Sequence, residues 1–329
     1  MEGISLAGEL AAVALDRDTA LTVGVFDGVH RGHRHLLAWL KDRAAARGLA
    51  SGVITLHPHP ALVLNPRAPV VYLTSLEERV ELLRAGGVDF VLPVTFTPEV
   101  ARLSAREFVG LLIERLRMRF FLVGPDFALG RDRQGSADVL FQLGSEMGFE
   151  VESAGPLVEG GRVVSSSAVR DALAAGEVEA VGSLLGRPFS LHGPVVGGVE
   201  RGKVMGFPTA NIAVGPGMAL PAFGVYATLA YLPTGQAGVD VGGVARKSVT
   251  NIGRRPTFDD GERTVEVYIM DFDADIYGRE LRVDVLKRLR GETRFADPQE
   301  LVEQIRRDVV AAREYLESHP AVQTGRPER

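Results

Sequence analysis

The chain has 329 residues, 46% apolar and 24% charged, with a net charge of −5 and a pI near 5.9. At about 150 residues per domain this predicts two domains, each able to bury a core, while the acidic balance argues against a general nucleic-acid binder. The lack of cysteine excludes disulfides, thiolate metal sites and a cysteine nucleophile. With no signal-like start and no apolar run near the ~18 residues that span a bilayer, a soluble cytoplasmic chain without a membrane partner is expected.

Strand-like and helix-like segments alternate through the first half. "ALTVGVF" (20–26) is apolar and β-rich, and "RGHRHLLAWLKDRAAARG" (31–48) is helical, closing on Gly48 as a C-cap. "LASGVITL" (49–56) is the next strand. "TSLEERVELLRAGG" (74–87) opens with Ser75 and Glu78 at capping-box spacing, and Ser104 with Glu107 repeats that signature before "FVGLLIERLRM" (108–118). "VDFVLPVTF" (88–96) and "RFFLVG" (119–124) complete a βαβαβαβ order, which implies a parallel, Rossmann-like α/β sheet covered on both faces, here assigned to residues 1–186.

The style changes near residue 187. "LHGPVVGG" (191–198), "TANIAV" (209–214), "GVYATLAYL" (224–232), "KSVTNIG" (247–253), "TVEVYIMDF" (264–272) and "ELRVDVLKRL" (280–289) are short strands between Gly, Pro and Asp turns. That pattern predicts an antiparallel barrel or sandwich over 187–318. It ends in a helix with Asp297 as N-cap, Pro298 at the first position and Glu300 completing a capping box. Leu301, Ile305, Val309 and Leu316 form its apolar stripe, and residues 319–329 read as a loose tail.

"GVFDGVHRGH" (24–33) joins the first strand to the first long helix. Such a turn is where an α/β sheet binds phosphates, because the helix start offers N–H groups and the positive end of its dipole. Gly24 and Gly28 permit close backbone approach, and His30 and His33, three apart, point to one side where they can donate to phosphate oxygens. A lone histidine would more often be an ordinary surface residue; two in H-x-G-H at this turn reverse those odds.

Two segments of the second half bear on phosphate chemistry. "GGVERGKV" (197–204) nearly spells a P-loop, but Val204 replaces the required Ser or Thr, and Pro208 and a strand-like run replace the helix. In "GKVMGFPTANI" (202–212), Thr209 and Asn211 point the same way on an extended segment and offer oxygen ligands of the kind Mg²⁺ takes, although from the residue types alone a plain turn after proline is the better reading. In "TVEVYIM", Val265, Val267 and Ile269 share one face and Glu266 the other, as a solvated glutamate or as a base for a hydroxyl substrate.

"GVFDGVHRGHRHLL", "GPDFALGRDRQGS" (124–136) and "VSSSAVR" (164–170) resemble the FMN adenylyltransferase module of prokaryotic bifunctional riboflavin kinase/FAD synthetases, within the H-x-G-H nucleotidylyltransferase superfamily. "GFPTANI", "SVTNIGRRPTF", "DIYGRELRV" and "LRGETRF" resemble the riboflavin kinase module of the same family. The resemblance implies riboflavin, FMN, FAD and ATP as ligands and Mg²⁺ as cofactor. It implies that Gly24, Phe26, Asp27, Gly28, His30 and His33 bind ATP, the two histidines acting in catalysis, with Ser166 and Arg170 on its phosphates. Ser165 to Ser167 equally cap a helix, which uses the same N–H groups. It further implies that Asp126 and Phe127 face flavin, that Gly202, Lys203, Thr209 and Asn211 hold Mg-ATP in the kinase, and that Glu266 is its catalytic base. His57 of "LHPHP", Ala128, Leu129 and Tyr268 stand where the family more often has an acidic residue, Arg, Phe and His. Rival readings are an adenylyltransferase with another acceptor and a non-catalytic flavin sensor; the sequence also admits a homo-oligomer.

Overall fold

In β1 (Thr19–Gly24), Leu21 and Val23 face one side of a sheet and Ala20 the other, and all three are buried. The same division holds for β2 (Ala50–His57), β3 (Phe90–Thr95) and β4 (Met118–Val123). Ile54, Leu92, Leu122's neighbours Phe121 and Val123 face one core, while Val53, Val91, Phe120 and Leu122 face a second. Burial on both faces is why these strands read as continuous apolar runs. The computed structural model describes residues 5–125, 127–197, 206–232, 244–254 and 263–319.

A fifth strand, β5 (Glu150–Ser153), completes a parallel sheet of order β3-β2-β1-β4-β5. Its polar sequence carries no apolar signal, and ion pairs hold it instead. Glu152 accepts from Trp39 Nε1 at 2.8 Å and from Arg43 at 2.8 to 3.1 Å, and Glu150 pairs with Arg47 at 2.7 Å. These partners lie on α2 (Arg31–Arg47), which ends at Gly48 with φ 65° as expected. With α4 (Leu76–Ala85), α2 covers one face; α1 (Leu6–Leu10), α5 (Pro98–Arg102), α6 (Ala105–Leu116) and α7 (Ala137–Met147) cover the other, and α3 (Pro60–Leu64) follows β2. The capping box of Ser104 and Glu107 forms in full at the start of α6. Strand order reverses between β1 and β4, so their carboxyl ends flank the crevice where such sheets bind ligands.

A two-stranded hairpin, β6 (Val158–Glu159) with β7 (Arg162–Val163), precedes α8 (Ser166–Ala175) and α9 (Val178–Leu185). The chain divides into two compact units, Met1–Ser166 and Ser167–Arg329. This division precedes the change of sequence style at 187 because α8 and α9 pack with the second unit. Ala222 N–H donates to Leu173 O at 3.0 Å, Arg288 to Ala175 O at 3.2 Å, and Lys287 pairs with Glu179 at 2.8 Å.

The six expected strands of the second half all form: β8 (Phe189–Val196), β9 (Ala210–Ile212), β10 (Gly224–Tyr231), β11 (Arg246–Arg254), β12 (Arg263–Ile269) and β13 (Glu280–Arg290). They close an antiparallel barrel of order β10-β11-β12-β9-β8-β13, which removes both sheet edges. Val225, Ala227, Leu229 and Val249 face outward against Ala312 and Leu316 of α10 (Pro298–Ser318). The alternate positions therefore point inward, and there the Thr228 hydroxyl lies 2.7 Å from Ser248 and 2.8 Å from Thr250, so three fully buried hydroxyls satisfy one another. Asp297 caps α10 through Gln299 and Glu300 N–H; Glu300 reaches back to Ala296 N–H, one residue beyond the expected capping-box partner.

Candidate active sites

The turn after β1 is strained and held from inside. Phe26, Gly28 and Val29 have φ of 55°, 80° and 39°, and a β-branched residue in this region is a costly conformation that its surroundings must impose. Asp27 does much of that. Its carboxylate accepts from Leu73 N–H at 3.0 Å and from Thr74 N–H and Oγ1 at 3.2 Å, and lies 3.6 Å from Arg79. The Arg79 side chain is fully buried and donates to Val25 O at 3.1 Å and Leu56 O at 3.4 Å, tying together the ends of β1 and β2. Phe26 is buried in the core and sets its ring edge-on to His33 at 5.1 Å. The space beside Gly24 goes to that ring, since a Cβ there would lie 3.0 Å from Phe26 Cε2. Gly28 N–H donates to Thr74 Oγ1 at 3.1 Å. Of the expected ATP-binding set, Phe26 and Asp27 thus turn their side chains inward and shape the turn.

The histidines form a pair. His30 is the N-cap of α2, its Nδ1 accepting from His33 N–H at 3.3 Å, which leaves Nε2 to carry the proton. The two rings stack with centroids 3.6 Å apart at 20°. Burial, reinforced by His30 and Arg79, holds His33 well below the ordinary histidine range, so it is a neutral donor near pH 7. Gly32 was not singled out by sequence, yet a Cβ there would stand 2.8 Å from Val164 O and 3.0 Å from His30 Nδ1. A glycine in the first turn of a helix costs about 1 kcal/mol against alanine, and that cost was the available signal.

The remaining expected residues are distributed as follows. Ser166 donates to Asp27 O at 2.9 Å, so the serine-rich stretch meets the turn. Arg170 lies on α8 in the second unit. Phe127 packs edge-on to Phe121 at 5.6 Å against the core of the first unit. Burial and Arg79 lower the pKa of His57, which therefore adds no charge at the end of β2, and His59 caps α3 through Ala61 N–H. Asp126, Gly202 and Lys203 lie outside the described residues.

In the barrel, Asn211 of β9 and Glu266 of β12 are direct cross-strand partners on the outer face, and Thr209 stands half-buried just before β9. Glu266 is also paired in register with Asn251 of β11. Tyr268 packs edge-on to Phe207 at 5.3 Å beside them. Hydroxyl, carboxamide and carboxylate oxygens suit a hard cation that keeps waters and shares nucleotide phosphates. Among the described residues no group of three or more His, Asp or Glu side chains converges as a metal site.

A family model for FAD synthetase matches residues 13–168 and one for riboflavin kinase matches residues 185–316. The bifunctional riboflavin kinase/FMN adenylyltransferase of Escherichia coli (strain K12) is 42% identical over 301 residues, covering 90% of this chain and 92% of that protein. The chain belongs to the bifunctional riboflavin kinase/FMN adenylyltransferase family. Family members of Pseudomonas fluorescens and Bacillus subtilis (strain 168) are 39% and 33% identical, over 90% and 91% of this chain and 93% and 92% of their own. A crystal structure described as a macrolide-efflux protein from Streptococcus pneumoniae superposes with a TM-score of 0.82 at 29% identity, over 92% of this chain and 96% of that one. That description concerns the other protein; among the described residues here, no helix is long and apolar enough to cross a membrane. The FAD synthetase match takes in the H-x-G-H turn and Ser166, and the riboflavin kinase match takes in the whole barrel.

Proposed function

We propose that the chain carries both activities of its family, with the barrel converting riboflavin and ATP to FMN and ADP, and the first unit converting FMN and ATP to FAD and pyrophosphate. The observation that carries this is the register pairing of Asn211 with Glu266, which a passive flavin-binding barrel would not need. In the kinase, Glu266 accepts the proton of the riboflavin hydroxyl as its oxygen bonds to the γ-phosphorus of ATP and ADP departs. Thr209 and Asn211 would hold Mg²⁺, which when bound neutralises phosphate charge. In the adenylyltransferase the FMN phosphate is already an anionic nucleophile, so no base is required. Its oxygen bonds to the α-phosphorus, pyrophosphate leaves, and His30, His33 and the amino end of α2 stabilise the charge on the leaving group. The family resemblance assigns Ser166 and Arg170 to the ATP phosphates, Asp126 and Phe127 to flavin, and Gly202 and Lys203 to the ATP of the kinase. On this proposal the enzyme is cytoplasmic, with no nucleic-acid or membrane partner.

Incubating the full chain with riboflavin, ATP and Mg²⁺ and separating the flavins by chromatography tests it. Changing His30 and His33 together to alanine should abolish FAD while FMN accumulates, each lost donor costing about 10²–10³ in rate. Glu266→Gln should leave riboflavin unconverted at about 10²–10⁴ below normal turnover, with FAD returning once FMN is supplied. Normal FAD synthesis by the first variant, or normal FMN synthesis by the second, would refute the corresponding assignment.

A further inference from the structure

Asn211 lies on one side of Glu266, and Asn251 lies on the other. All three share the outer face of the barrel, on adjacent strands β9, β12 and β11. Strands are about 4.7–4.9 Å apart, so the row spans about 10 Å with the carboxylate at its centre. The residue two positions beyond Asn251 on the same face is Gly253. A Cβ there would stand 3.6 Å from Asn251 Nδ2 and 2.9 Å from Glu292 Oε1. The Asn251 amide nitrogen and the Glu292 carboxylate therefore share the space that a side chain at buried Gly253 would take.

We propose that Asn251 positions the acceptor hydroxyl in the kinase reaction, donating from Nδ2 to the hydroxyl oxygen while Glu266 takes its proton. This rests on the riboflavin kinase reading of the barrel. A phosphoryl transfer needs the nucleotide on one side of the base and the alcohol on the other. On that reading Thr209 and Asn211 take the nucleotide side of Glu266, and Asn251, its register partner on the opposite strand, takes the alcohol side. The O–H bond breaks towards Glu266, the oxygen–γ-phosphorus bond forms, and the bond from the γ-phosphorus to ADP breaks. A carboxamide suits this place because it donates without competing for the proton. Among the described residues, Glu266 has Asn211 of β9 and Asn251 of β11 as its register partners and Thr264 and Tyr268 on its own strand face. A carboxylate at 251 would add a like charge directly opposite the base.

The test uses the full chain, with FMN formation measured against riboflavin and ATP separately. Asn251→Ala should lower kcat/KM for riboflavin by about 10²-fold, as expected when a reacting group is misplaced, with the KM for ATP unchanged. Asn211→Ala should show the opposite split. Asn251→Asp keeps the shape but puts an acceptor where the donor stood, and should lower kcat/KM for riboflavin as the Ala variant does, with the KM for ATP unchanged. FAD formation from supplied FMN should be unchanged throughout. If Asn251→Ala fails to fold, the Asp variant alone decides. Normal riboflavin kinetics in the Ala or the Asp variant, or equal losses towards ATP and riboflavin, would overturn the inference. Glu266→Gln tests the parent reading separately: an active Gln variant removes the kinase site itself, whereas an inactive one beside a normal Asn251→Ala removes only the role of Asn251.

Discussion

Asp27→Asn separates a carboxylate that builds the turn from one that binds ATP. The amide keeps the shape, but one oxygen becomes an NH₂ that must face another donor. Leu73 N–H reaches both carboxylate oxygens at 3.0 Å, and Thr74 N–H and Oγ1 reach Oδ1 at 3.2 Å, so neither orientation avoids a clash of donors. The substitution also strips the charge partner from Arg79, whose side chain has no exposed surface. Removing one partner of a buried pair costs about 3–5 kcal/mol, a large part of the ~5–15 kcal/mol that holds a domain folded. At about 2–4 °C per kcal/mol for a unit of this size, the first unit should melt roughly 6–20 °C lower. Scanning calorimetry of the full chain should show the transition of the first unit moving and that of the barrel staying. FAD synthesis measured well below the new transition should keep a near-normal KM for ATP. An unmoved transition with a raised KM for ATP would show that Asp27 faces the ligand and that the inward reading is wrong.

Gly32→Ala should reduce FAD synthesis by at least about 10² while leaving FMN synthesis intact, because the Val164 carbonyl at 2.8 Å is backbone and the His30 ring must give up its cap; flavin chromatography showing normal FAD would refute this. Burial, with Arg282 and Arg187 adding to it, pushes His192 down to about 4 from 6.5. The unfolded chain then binds the proton more readily between those values, so the stability His192 contributes is complete above pH 6.5 and lost as pH falls towards 4, roughly 3 kcal/mol in all. His192→Gln should therefore flatten the acid side of the barrel's melting profile, and an unaltered profile would count against it. A fragment starting at Ser167 should fold and phosphorylate riboflavin, whereas one starting at Arg187 loses α8 and α9 with the Glu179–Lys287 pair and should melt lower; equal melting temperatures would show that the two helices add nothing to the barrel.

What the sequence made legible tracks how locally each feature is encoded. Strands β1 to β4 and all six barrel strands carried their own apolar patterns, and the caps at Ser75, Ser104 and Asp297 lie beside the helices they start. β5 was invisible because charges on a distant helix hold it, with Glu152 answering Trp39 and Arg43 more than a hundred residues away. The H-x-G-H spacing pointed to the histidines, but only the fold shows that Asp27 and Phe26 turn inward and that Arg79 joins the ends of two strands. The Gly32 contact likewise involves Val164, which no local pattern connects to it. In the barrel, period-2 alternation placed Glu266 on the outer face, while its pairing with Asn211 and Asn251 depends on strand order, which alternation does not encode.

The bond from Ser166 to the carbonyl of Asp27 spans 139 residues of chain. During synthesis at about 5–20 residues per second, roughly 7–28 s separate the two ends of that contact leaving the peptidyl-transferase centre. The turn after β1 is among the first segments made and among the last to be locked, since Val164 must also arrive to close over Gly32. A nascent chain stalled before Val164 would therefore hold its sheet strands and both histidines with the turn between them unfinished, and the turn would be locked only as translation reaches the end of the first unit.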